Sequence, residues 1–240
     1  MLVAPDKFKG SLPADEVAAA ISRGLRRALP TAEVVRHPIA DGGEGTVDVV
    51  LAQGFTAVTC PVRTLLGGRL AEARYAIRRD EAVIEIAEGI GLARLPGAPS
   101  SSTALAASSY AVGELLLDAI GKGARRVVIG VGGSASSDGG VGALQALGAL
   151  VLDEHGRAVE PGGAAVRDVA ELHLDGALEA IRDVELVVAC DVDNPLLGPT
   201  GAAAVYGPQK GACAADVRML ENSLGMWAAL VADTTGTDRS

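Results

Sequence analysis

The residues richest in chemical possibility lie in Arg126–Gly140, RVVIGVGGSASSDGG. Val127, Val128, Ile129 and Val131 are β-branched and bounded by glycine, the composition of a buried strand. Gly132 and Gly133 can then take angles that other residues avoid and expose their N–H groups. Ser134, Ser136 and Ser137 add hydroxyl donors, and Asp138 can hold a cation or cap the next helix. Bare N–H groups between a buried strand and a helix suit an anion, most often a phosphate. A tight strand–helix turn capped by Asp138 accounts for the same residues equally well.

The pattern recurs. Short apolar runs at Leu2–Ala4, Glu33–Arg36 and Leu186–Cys190 are each followed by a polar loop. The first loop carries Asp6, Lys7, Lys9 and Ser11, the second Asp41, Gly42, Gly43, Glu44 and Gly45, the third Asp191, Asp193 and Asn194. Ligands of open α/β sheets bind outside the carboxyl ends of the strands. If the four strands share one sheet, their loops converge on one cleft.

Composition narrows the alternatives. The 240 residues are 49% hydrophobic but only 2% aromatic, with a net charge of −9 and a mean hydropathy of +0.30. That excludes a disordered chain. The charge and the scarcity of stacking rings argue against nucleic acid and against an anionic membrane as partners. Cys60, Cys190 and Cys213 share no CxxC spacing, which suits a reducing cytoplasm. No secretory signal opens the chain, and no apolar run of about 20 residues spans a membrane.

The elements that must position these loops follow from periodicity. Ser11-Leu12-Pro13 starts a helix whose Val17, Ile21, Leu25 and Leu29 form one face until Pro30. Glu44–Gln53 is a second helix, with Val47, Val50 and Leu51 inward. Thr56–Pro61, Arg69–Arg78 and Ala82–Ala87 read as an antiparallel meander, Leu92–Thr103 as a loop, and Thr103–Ile120 as helical. Asp216–Ala232 is a final helix. The expected architecture is α/β: an open Rossmann-like parallel sheet with a second, smaller α/β domain and a site in the cleft. Residues 1–58 begin the Rossmann-like domain, 59–122 form the smaller inserted unit, and 123–240 carry the phosphate loop and the aspartates. The polar tail Asp233–Ser240, with no later strand to pack on, reads as a chain cut short.

Four motifs stand together: Ala4–Ser11 (APDKFKGS), Ala40–Thr46 (ADGGEGT), Gly132–Gly140 (GGSASSDGG), and Cys190–Leu196 (CDVDNPL) running on to Gly207–Ala212 (GPQKGA). In this order and spacing they closely resemble the bacterial glycerate kinase type-1 family, over essentially the whole chain. The resemblance implies ATP-dependent phosphorylation of D-glycerate, in most bacterial members at the 2-hydroxyl, between two α/β domains. Ser136-Ser137 replaces the family's usual Thr-Asn, and Ala107–Gly113 lacks a Thr and a Gly often found there. The family also continues past the equivalent of Ser240 through further glycine-rich segments. A fragment or a natural truncation is the expectation, with little activity from the isolated chain and possible self-association into a homo-oligomer.

Phosphoryl transfer needs positioning, charge neutralisation and a base near the acceptor hydroxyl. Gly132, Gly133, Ser134, Ser136, Ser137 and Asp138 are the expected nucleotide contacts. Asp191 and Asp193 are candidates for Mg²⁺ and for orienting the hydroxyl, since Mg²⁺ favours one or two carboxylates plus phosphate oxygens and water. Lys7, with the two aspartates, is assigned to catalysis. Lys9, Ser11, Asp41, Glu44, Asn194 and Lys210 are assigned to substrate, with Asp41 and Glu44 equally suited to capping the next helix. None of His37, His155 and His173 lies inside a motif, so no histidine base is assigned.

No G-x-x-x-x-G-K-[ST] occurs, which excludes a P-loop kinase. Gly130–Ala135 does fit the dinucleotide pattern G-x-G-x-x-A, with Asp153 and Glu154 about 20 residues on. A nicotinamide-dependent oxidoreductase is therefore one alternative, and a non-catalytic anion-binding fragment is another.

Overall fold

The computed structural model describes residues 1–8 and 11–237. The chain opens on β1 (Leu2–Val3), α1 (Ala14–Ala28), β2 (Val35–Arg36) and α2 (Thr46–Ala52). β1 and β2 pair in parallel, Leu2 against Val35 and Val3 against Arg36. Asp15 and Glu16 occupy the first turn of α1 and Arg26 and Arg27 its last, matching the helix dipole at both ends. The expected apolar face is only partly covered. Val17 is buried with Ala14, Ala18 and Ser22, while Ile21 and Leu29 stay exposed. Two short strands are too narrow to shield the whole stripe.

β3 (Thr56–Arg63), β4 (Leu70–Arg78) and β5 (Glu81–Glu85) form the expected meander, and Arg79, at φ 57°, turns the chain between the last two. α3 (Ile86–Ile90), α4 (Ser101–Ala106) and α5 (Tyr110–Gly121) lead to β6 (Arg126–Gly130), which lies parallel to β5. α6 (Val141–Ala146), β7 (Leu150–Leu152), β8 (Glu171–His173) and α7 (Asp175–Ile181) lead to β9 (Glu185–Ala189), parallel to β6. α8 (Ala202–Tyr206) and α9 (Ala214–Thr235) follow. The main sheet therefore runs β3-β4-β5-β6-β9, with β7-β8 a separate hairpin.

Three expectations are corrected. The four loop-bearing strands do not share one sheet, because β1 and β2 pair only with each other while β6 and β9 belong to the main sheet. The meander is not a unit of its own, because β5 pairs with β4 on one edge and β6 on the other. Its Ala82, Val83, Ile84 and Glu85 are all buried, as befits a central strand covered on both faces, so a boundary after residue 122 falls within one sheet. The stretch expected as a loop at Leu92–Thr103 holds a 3₁₀ turn at Leu92–Arg94 and the start of α4. Ser100 caps α4, its Oγ accepting the Thr103 N–H at 3.3 Å while Thr103 Oγ1 accepts the Ser100 N–H at 2.9 Å.

The main core lies between this sheet and α5, where Tyr75, Ile84, Leu115 and Val127 are fully buried. Tyr75 donates its hydroxyl to Asp118 Oδ2 at 2.8 Å, so its one polar atom is satisfied. A second cluster gathers Val141, Val151 and Val166 around Trp227 of α9. Among the described residues, no helix is long and apolar enough to cross a membrane.

Candidate active site

Although the sheets are separate, their loops meet. The loop after β2 lies across the carboxyl ends of β6 and β9. A Cβ on Gly42, which has φ +90°, would stand 2.7 Å from the Ala189 carbonyl oxygen, and one on Gly132 would stand 2.7 Å from Gly43 Cα. A Cβ on Gly130 would collide with the Gly42 carbonyl. Backbones this close require glycine. The glycine-rich motifs are thus the surfaces by which the β1-β2 layer seats on the main sheet.

Between them opens a cleft of about 540 Å³ lined by Lys7, Ser11, Glu44, Arg74, Glu85 and Gly133, among others. Lys7 Nζ reaches Asp41 Oδ1 at 3.2 Å and Asp6 Oδ1 at 3.8 Å. The same Asp41 oxygen accepts the Gly43 N–H at 2.9 Å. That backbone bond, then Lys7, holds the Asp41 carboxyl below its ordinary range. Glu44 is exposed at the cleft, and Ser11 lines it from a turn in which its N–H donates to the Phe8 carbonyl at 2.8 Å. Lys9 lies outside the described residues.

Five side chains here escaped sequence reasoning. Glu85, at the end of β5, is only 3% exposed, and its Oε2 accepts the N–H groups of Gly45 at 3.0 Å and Val47 at 3.1 Å. Burial nevertheless raises its carboxyl above the ordinary range. Arg74 joins Asp48 at 2.8 Å to Glu88 at 2.6 Å, and Arg94 holds Glu88 at 2.8 Å. The available signal was an acid closing the apolar run Ala82–Ile84, because a charge placed among core residues needs a partner or a purpose.

The loop after β6 is strapped to the end of α3. Leu92 N–H donates to the Gly133 carbonyl at 3.0 Å and Ala135 N–H to the Ile90 carbonyl at 2.8 Å. Among the described residues, the N–H groups of Gly132, Gly133 and Ser134 have no backbone acceptor, as an anion site requires. Gly133, at φ +68°, reaches the cleft. Ser136 is buried and Ser137 half-buried. Lys210 Nζ donates to the Ser136 carbonyl and lies 3.3 Å from Ser134 Oγ. Burial pushes its ammonium down to about 8, against the attraction of Asp138.

Asp138 faces inward. Its Oδ2 accepts from Ser109 N–H at 2.7 Å, Ser109 Oγ at 2.9 Å, Ser108 Oγ at 3.4 Å and Gly142 N–H at 3.3 Å, and its Oδ1 from Gly140 N–H at 3.3 Å. Its oxygens are engaged by the turn before α5 and by the start of α6, so it shapes the loop. Asn194 is likewise occupied, donating to the Thr200 carbonyl at 2.9 Å and accepting the Tyr206 hydroxyl at 2.5 Å. Asp191 and Asp193 stand exposed just beyond β9, whose Ala189 touches Gly42.

The helix after the glycine loop begins only at Val141. The G-x-G-x-x-A pattern therefore does not open a helix, as a dinucleotide site requires, and Asp153 is engaged with Arg157 at 2.7 Å.

The fold and cleft define an α/β protein with a polar cleft at the carboxyl ends of parallel strands. Residues 1–240 match the model of the Glycerate kinase family, and the chain belongs to that family. It is 40% identical over 242 residues to a glycerate kinase of Halalkalibacterium halodurans, covering 99% of this chain and 63% of the relative. It is 40% identical over 238 residues to the glycerate 2-kinase of Escherichia coli, covering 96% and 61%. The crystal structure of a putative glycerate kinase 2 from Salmonella typhimurium superposes with a TM-score of 0.87 at 38% identity, covering 99% of this chain and 64% of that one. The chain thus spans about three fifths of the length of these relatives.

Proposed function

We propose that the protein transfers the γ-phosphoryl group of ATP to D-glycerate, at the 2-hydroxyl. The observation that carries this reading is the meeting, in one cleft, of Lys7, held by Asp41, with Gly133 of the glycine loop. Lys7 takes the glycerate carboxylate, in a cleft that Ser11 and Glu44 also line. Gly132, Gly133 and Ser134 take phosphate oxygens. Lys210 acts through the loop, which it fixes from behind.

Asp191 and Asp193 fit Mg²⁺. Both are exposed carboxylates at a strand end, hard oxygen donors of the kind that ion prefers. Among the described residues, no three His, Cys, Asp or Glu side chains form a ready-made cage, and Mg²⁺ shared with phosphate oxygens does not need one. When bound, it would neutralise charge on the transferring phosphate. The three free cysteines and the need for ATP favour a cytoplasmic setting.

The test is ADP release with D-glycerate and Mg-ATP, with the product assigned by ³¹P NMR. Glycerate-dependent formation of 2-phosphoglycerate is expected. ADP release that ignores glycerate, with no phosphoglycerate formed, would overturn the reading.

A further inference from the structure

We propose that Glu85 accepts the proton of the glycerate hydroxyl as that oxygen attacks the γ-phosphorus, its Oε1 meeting the substrate while Oε2 is held by the chain. This rests on the glycerate kinase reading above and adds to it a residue that no motif suggested.

Position is the first argument. Glu85 ends β5 in register with Gly130 of β6, one strand-width from the glycine loop that faces phosphate, and strand carboxyl ends are where ligands sit. It lines the cleft although nearly the whole residue is buried. Its two oxygens are not equivalent. Oε2 takes both Gly45 and Val47 N–H, whereas among the described residues Oε1 has no hydrogen-bond partner. Lys7 runs along the same backbone and lines the same cleft: a Cβ on Gly45 would lie 3.9 Å from Lys7 Cδ, and one on Gly43 3.7 Å from Lys7 Nζ. A carboxylate on Lys7 therefore brings the adjacent hydroxyl of the same small molecule toward Glu85.

Chemistry is the second argument. Anchoring a loop through two N–H groups needs only a neutral acceptor, so a buried anion is more than that task requires. Burial raises the affinity of Glu85 for a proton, reinforced by Glu88 of α3 and Asp48 of α2. Arg74 of β4 faces the same region but is taken up by those two acids, while Lys7 and Glu44 complete the charged lining. A general base gains strength as its pKa approaches the working pH. In the step, the hydroxyl proton passes to Oε1 and the freed electron pair forms the new P–O bond. The bond from the γ-phosphorus to the β,γ-bridging oxygen breaks, and that oxygen departs on ADP. The proton returns to water as product leaves.

The experiment compares wild type, Glu85→Gln and Glu85→Ala by steady-state kinetics across pH, with ATP affinity by calorimetry and folding by circular dichroism. Gln keeps an acceptor for both N–H groups but takes no proton. It should lower kcat by a factor of about 100 or more, leave both KM values and ATP affinity within about threefold, and abolish the acid limb of the kcat profile. Ala, losing the anchor as well, should also weaken ATP binding or melting temperature. Glu85→Gln with kcat within about tenfold of wild type, or with the acid limb intact, overturns the role. So does a loss of rate matched by an equal loss of ATP affinity, which would make Glu85 an anchor alone. Wild-type protein that leaves glycerate untouched overturns the functional reading, and this role with it; active wild type beside active Glu85→Gln overturns this role only.

Discussion

Lys7 Nζ lies 3.2 Å from Asp41 Oδ1, an ion pair that ties the loop after β1 to the loop after β2 at the rim of the cleft. Asp41 also fixes its own loop through the Gly43 N–H, so one carboxylate both shapes the backbone and aims the ammonium.

Replacing Lys7 with Met should raise KM for glycerate about tenfold or more while changing stability little, since exposed pairs contribute about 1 kcal/mol or less. Asp41→Asn keeps an acceptor for Gly43 but loosens Lys7, and should give a smaller rise. The Asp41 carboxyl is depressed in the folded state. Its stabilising contribution is therefore present above the ordinary aspartate value and is lost as pH falls through the folded value. Kinetics paired with melting curves decide; a large fall in melting temperature with unchanged KM would make Lys7 structural.

Asp138 separates a structural from a nucleotide-binding role. Five hydrogen bonds from Ser108, Ser109, Gly140 and Gly142 converge on it. Asp138→Ala leaves those donors unsatisfied and should cost about 3 kcal/mol or more, a drop of roughly 10 °C for a domain this size. ATP affinity of the folded protein should change by only a few fold. An unchanged melting temperature with ATP binding abolished would restore the direct contact.

Lys210 is a buried cation, unlike the half-buried Lys7. It is 9% exposed and bridges to Ser134 and the Ser136 carbonyl. Its ammonium lies at about 8, against an ordinary 10.5. Between those values the unfolded chain binds more protons than the folded one, so this group makes stability rise with pH there. Lys210→Met should remove that slope and raise KM for ATP about tenfold, because the loop loses its support. Denaturant titrations at pH 7.5, 9 and 10 test the first effect, and an unchanged KM for ATP would sink the second.

Much of this arrangement was legible because it is local. Val127–Ile129 before a run of glycines declares a strand and a glycine-rich turn without reference to anything distant. The partnership of strands was not legible, because β1 and β2 have the same local grammar as β6 and β9. Only the close approach of Gly42 to Gly130 and Ala189 decides that loops from two sheets meet. Asp138 looked like a ligand for the same reason: its partners Ser108 and Ser109 come from the turn before α5, about thirty residues upstream. Lys210 is buried by the seating of its 3₁₀ turn, Pro208–Lys210, against α4 and α8, which no spacing reveals. Glu85 hid in the reverse sense, as one acid at the end of a strand otherwise read for its hydrophobicity.

Asp191 and Asp193 supply the remaining prediction. Exposed just past β9, beside the point where Gly42 meets Ala189, they present carboxylate oxygens with no structural task among the described residues. Removing either charge should therefore spare the fold. Asp191→Asn should cut turnover by a factor of about 100 or more if it neutralises the transferring phosphate through Mg²⁺. Asp193→Asn should raise the Mg²⁺ concentration needed for half-maximal rate, an effect that excess Mg²⁺ repairs if the residue is a ligand. Titrating Mg²⁺ at saturating ATP and glycerate, alongside melting curves for each variant, separates metal binding from folding. Near-normal turnover in Asp191→Asn, with an unaltered Mg²⁺ requirement in both variants, would remove the pair from the site and leave the glycine loop and Lys7 to carry the phosphate charge.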